Sequence, residues 1–102
     1  MAESILAQRH VQVDNTAFVG VTFPIGCNSI VVRNGNAGGG IALRVSTDPN
    51  NADAYDLVPA GDQKLIAAAD LSGPGRFQAG QVYLYFKADA VGTVDIFLTF
   101  TP

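Results

Sequence analysis

Tryptophan is absent from this sequence, and cysteine, histidine and methionine each occur once. The single cysteine, Cys27, cannot close an intrachain disulfide, which excludes a small secreted scaffold stapled by cystines. One cysteine and one histidine (His10) also cannot furnish the nitrogen and sulfur ligands of a usual zinc site. Charge is scarce as well. Charged residues make up 15% of the chain while hydrophobic residues make up 48%, against roughly 25% charged in an average soluble domain. The mean hydropathy is +0.23. A domain of 102 residues has much surface for its volume and ordinarily covers it with Lys, Glu, Asp and Arg. Thin cover implies outward surface that is apolar or neutral, as expected of a subunit that buries it against partners.

Clustered basic residues are missing too. The net charge is −3, and Arg9, Arg33, Arg44, Lys64, Arg76 and Lys87 never fall next to one another, so no nucleic-acid partner is expected. The first seven residues, Met-Ala-Glu-Ser-Ile-Leu-Ala, lack the basic start and continuous apolar stretch of a secretory signal. No apolar run approaches the ~20 residues that span a bilayer as a helix, so no membrane partner is expected. The expectation is a protein made in the cytoplasm, free to end inside a released particle.

What is present is alternation of period two, from about residue 9 onward. In 93–100, Val94, Ile96, Leu98 and Phe100 share one side, and Thr93, Asp95, Phe97 and Thr99 the other. In 81–87, Val82, Leu84 and Phe86 oppose Tyr83, Tyr85 and Lys87. The short link 88–92 ends in glycine and suits an antiparallel hairpin. Large side chains on both sides of these two strands predict central positions in a sheet, or an outer face that meets another subunit. A second hairpin is predicted from 30–33 to 41–45 through Asn34-Gly35-Asn36-Ala37-Gly38-Gly39-Gly40. Further strands are expected at 9–14, 17–23, 55–58 and 63–67 (with Lys64 outward), a short piece at 76–79, and one helical turn at 67–70. About eight short strands at intervals of roughly 8–12 residues indicate an all-β fold, an antiparallel β-sandwich of jelly-roll-like kind. Residues 9–102 read as its single domain, preceded by an arm over 1–8.

Catalytic readings each lack a member. His10 sits on a strand without a Gly-x-Ser-x-Gly companion, and a Cys27–His10 nucleophilic pair competes with the ordinary role of a lone cysteine as a small buried hydrophobe. Asp48-Pro49-Asn50-Asn51-Ala52-Asp53, with Asp56 nearby, offers oxygen ligands to a hard cation, yet Ala52 and Asp53 stand where a calcium loop needs an acid or amide and then glycine. Gly38-Gly39-Gly40 lacks the Gly-Lys-Ser/Thr of a phosphate loop and leads into a strand rather than a helix. Tyr55, Tyr83 and Tyr85 could stack on sugars, but there is no tryptophan and half-buried strand positions readily account for three tyrosines. No cofactor and no metal are expected.

The order Ser29-Ile30-Val31-Val32-Arg33-Asn34, glycine-rich turn, Ile41-Ala42-Leu43-Arg44-Val45-Ser46-Thr47, then Leu57-Val58-Pro59-Ala60-Gly61-Asp62-Gln63-Lys64-Leu65 and Gln81-Val82-Tyr83-Leu84-Tyr85-Phe86 resembles small capsid decoration, cement or head-fibre proteins of tailed bacteriophages, over about residues 10–100. The resemblance contains no invariant chemical motif. It implies a non-enzymatic virion protein, often a homotrimer on a capsid symmetry axis, that braces the major capsid protein and stabilises the head. The surface expected to meet copies of itself is the apolar outer side of the last two strands, Tyr83, Tyr85 and Phe97. The rival reading is a receptor- or carbohydrate-binding β-sandwich of a fibre or tail.

Overall fold

The computed structural model describes residues 7–35, 40–48, 50, 55–71 and 75–101. Eight strands follow in chain order: β1 (Ala7–Val13), β2 (Val19–Thr22), β3 (Ser29–Asn34), β4 (Leu43–Ser46), β5 (Tyr55–Val58), β6 (Gln63–Ala67), β7 (Val82–Ala88) and β8 (Val94–Thr101). Among the described residues there is no α-helix, only a 3₁₀ turn at Ala68–Asp70, where the single helical turn is expected. The predicted short piece survives as one bridge between Cys27 and Phe77. β1 begins at Ala7, inside the segment read as an arm; residues 1–6 lie outside the described residues.

The strands form two four-stranded sheets, β1-β8-β3-β6 and β2-β7-β4-β5, with every pairing antiparallel. First pairs with last, second with seventh, third with sixth and fourth with fifth, while β3–β8 and β4–β7 complete the sheets. This is a long hairpin rolled upon itself, the double Greek key of a jelly roll. Inner faces supply the core: Val94, Ile96, Leu98 and Phe100 of β8, Ile30 and Val32 of β3, Leu84, Phe86 and Ala88 of β7, and Leu43 and Val45 of β4 are buried.

Neither predicted hairpin forms. β3 and β4 lie in different sheets, and so do β7 and β8. Each glycine-containing link carries the chain across the sandwich instead of returning it beside its predecessor, a gap of roughly 10 Å. Only β4 and β5 are neighbours both in sequence and in a sheet. Alternation reports that one side of a strand is buried, which is equally true whichever strand it pairs with. The prediction of central positions does hold: β8 lies between β1 and β3, and β7 between β2 and β4. β2 is irregular, its register shifting between Gly20 and Thr22. A Cβ at Gly20 would lie 2.8 Å from the Tyr85 ring, so the missing side chain makes room for that ring.

Asn34 differs most from its expected role. It is not a loose turn residue but the buried last residue of β3. Its side-chain amide donates to the carbonyls of Ile41 (2.9 Å) and Val58 (3.1 Å). Its own N–H donates to the Asp62 carbonyl, and its carbonyl accepts from Gly61, each at 2.9 Å. One residue thus ties β3, the approach to β4, the end of β5 and, through its backbone, the β5–β6 turn together.

Candidate functional site

Alternation and register place one residue from each strand of the first sheet in a row across its outer face: His10, Phe97, Arg33 and Gln63. The next row is Gln8, Thr99, Val31 and Leu65. Phe97 is 40% exposed. The His10 ring lies flat against it, with centroids 4.7 Å apart and planes 7° from parallel. From the strand on the other side, the Arg33 guanidinium carbon lies 5.5 Å from the same ring centroid, a cation–π distance. Asp95 receives His10 Nε2 at 3.1 Å and the Gln12 side-chain amide at 3.3 Å. Gly35 makes this arrangement possible: a Cβ there would sit 2.3 Å from the Phe97 ring. Above these rows is a concavity of about 430 Å³, bordered by Gln8, Val31, Arg33, Gln63, Phe97 and Thr99 among others.

The two open sides of the sandwich are each spanned by one charged side chain. On the β1/β2 side Arg9 donates to the Thr22 carbonyl at 3.0 Å. On the β5/β6 side Lys64 pairs with Asp56 at 2.8 Å. Lys64 therefore does not face outward as expected; it shares a side of β6 with buried Ile66 and reaches across to the other sheet. Inward-pointing charge of this kind blunts an edge strand against further pairing. Beside the ion pair opens a cleft of about 390 Å³ with Val45, Ile66, Leu71 and Leu84 in its walls. Leu65, at its rim, is 64% exposed, and Leu57 on neighbouring β5 is 48% exposed.

The three residues expected to share a contact surface do not share one. Phe97 belongs to the outer face of the first sheet, whereas Tyr83 and Tyr85 belong to the second. Tyr83 is used inside the chain. Its ring meets Phe23 edge-on at 5.2 Å and Phe77 at 5.0 Å, and its hydroxyl accepts the Gln78 N–H at 2.9 Å. Tyr85 is half-buried opposite Gly20 and Ser46. The side chain of Tyr55 lies outside the described residues, so the three tyrosines are not seen as one platform.

His10 and Cys27 are not brought together. His10 is on an outer sheet face, while Cys27 is fully buried and exchanges backbone hydrogen bonds with Phe77 at 3.0 and 2.9 Å. Burial pushes the Cys27 thiol above its ordinary pKa, with nearby Arg76 acting the other way. A thiol held protonated is a poor nucleophile. Of the proposed cation loop, Asp48 and Asn50 are described, and the Asn50 N–H caps the Asp48 carboxylate at 2.9 Å in a local turn. Pro49, residues 51–54 and residues 36–39 of the glycine-rich segment lie outside the described residues. Among the described residues no group of three acids, histidines or cysteines is placed to hold a metal.

The Arg33–Phe97–His10 row was legible only as alternation within separate strands; its assembly required knowing that β8 runs between β1 and β3. Compared with known proteins, the chain matches no family model, no curated protein and no solved structure.

Proposed function

We propose that this protein is a non-enzymatic structural subunit of a phage virion, a capsid decoration or cement protein that associates with copies of itself and with the major capsid protein. The observation that carries this reading is the β5/β6 side, where Leu65 stands exposed at the rim of a cleft walled in part by Val45, Ile66, Leu71 and Leu84, and Leu57 is exposed on β5, in a chain with few charges. Burying a leucine side chain contributes about 1.5–3 kcal/mol, and many copies on a lattice multiply weak contacts. The contact surface is thus moved from Tyr83, Tyr85 and Phe97 to the β5/β6 side. A trimer is the assembly the resemblance to phage decoration proteins favours.

Sedimentation velocity tests the first part. Wild-type protein is expected to sediment as an oligomer, and the double variant Leu57→Lys, Leu65→Lys as a folded monomer. A wild-type chain that stays monomeric at high concentration overturns self-association. Co-sedimentation with phage heads tests the second part. The alternative, a receptor- or carbohydrate-binding module, is favoured by the concavity on the outer face of the first sheet.

A further inference from the structure

We infer that the concavity over the first sheet is a binding site for a carboxylate-bearing sugar, such as a uronic acid unit of an anionic polysaccharide. Charge is the first argument. The chain holds nine acidic and six basic residues, yet among the described residues no acid borders this concavity, while Arg33 does. The nearest acid on the face, Asp95, is engaged by His10 and Gln12.

Arg33 itself is exposed, and none of the ion pairs among the described residues involves it. Its guanidinium rests on Phe97 while its N–H fork remains available to a carboxylate, which it can bind through two parallel hydrogen bonds. A rigid ring beneath the arginine, itself backed by His10, reduces the freedom lost on binding. The remaining border suits the rest of a pyranose. Gln8, Gln63 and Thr99 offer neutral donors and acceptors to hydroxyl groups, and Val31 with the edge of Phe97 offers apolar surface to the C–H side of the ring. A volume of about 430 Å³ is in the small-ligand range.

This inference is independent of self-association, because each chain contains the whole site. The test is a titration of the isotopically labelled full chain by amide NMR, with glucuronate, glucose and acetate as separate probes. Glucuronate is expected to shift the amides of Arg33, Gln63, Phe97 and Thr99 with a weak, saturable affinity that falls with added salt. Arg33→Gln is expected to lower that affinity about tenfold or more, with the remaining spectrum unchanged. Arg44→Gln, on the second sheet, is expected to leave it unaltered. Gln63→Ala is expected to weaken glucuronate without changing the response to acetate. The inference is overturned if glucose binds as well as glucuronate, if acetate alone binds as tightly at the same residues, if Arg33→Gln retains full affinity, or if glucuronate moves none of these amides.

Discussion

At the end where β2 leads toward β3, Phe23 packs against Phe77, Tyr83 and Phe100 with ring centroids 4.7, 5.2 and 5.0 Å away. At the opposite end, the side-chain amide of Asn34 bonds two carbonyls from separate segments. Both ends must hold strands that are distant in sequence. The aromatic end uses packing, which depends on volume and tolerates changes in detail. The amide end uses direction and donor identity, which have no close substitute because the carbonyls it satisfies are left without partners when it goes.

The comparison breaks most visibly at the rings. Phe23→Ala removes the centre of the cluster and is expected to cost about 3–5 kcal/mol in urea unfolding. Phe77→Met, nearer in volume, is expected to cost less than about 1.5 kcal/mol. If both variants lose the same stability, the volume argument is wrong.

Asn34→Ala comes next, at about 2–4 kcal/mol, since two carbonyls lose a donor at about 1–2 kcal/mol each, the lower part of the range for an unsatisfied buried group. The sharper variant is Asn34→Asp, nearly isosteric with no N–H to give. Its carboxylate would face two carbonyl oxygens, raising its folded-state pKa. That variant is expected to be most stable below about pH 4 and to weaken as pH rises through the raised pKa. A flat pH profile for Asn34→Asp, relative to wild type, would contradict the donor role.

The smallest effect belongs to Cys27. Its folded-state pKa is raised above the ordinary 9.0, so the unfolded chain releases the thiol proton first. Stability from this source is intact below that value and falls as pH rises above it. Cys27→Ala is expected to show a shallower alkaline decline in melting temperature than wild type, and a thiol reagent is expected to modify the wild-type residue only on unfolding. Rapid labelling of the folded protein would contradict its burial.

Alternation and turn residues are enough to find all eight strands to within about two residues, as in β5 (Tyr55–Val58) and β6 (Gln63–Ala67), because a half-buried strand must repeat every second residue. The same alternation placed β7 and β8 correctly at the centre of sheets. It could not reveal that they sit in different sheets, since nothing in Val82–Ala88 or Val94–Thr101 names a pairing partner. The Arg33–Phe97–His10 row was hidden for the same reason: its members are 10, 33 and 97 in sequence and become neighbours only through the β1-β8-β3 order. In the sequence Asn34 reads as a turn residue because asparagine is common in turns; the carbonyls that make it a buried tie come from Ile41 and Val58.

What the amino-acid order determined by itself is therefore local: an all-β chain, its strand segments, the inward side of each, and the scarcity of charge that leaves apolar surface to be covered. The tertiary structure decided everything relational. It chose the rolled pairing over two hairpins, separated Tyr83 and Tyr85 from Phe97, turned Lys64 inward, and gathered Arg33, Phe97 and His10 on one face. The physical reason is that backbone hydrogen bonds are the same for every strand pair, whereas the packing of two twisted sheets around a shared core selects only some of them.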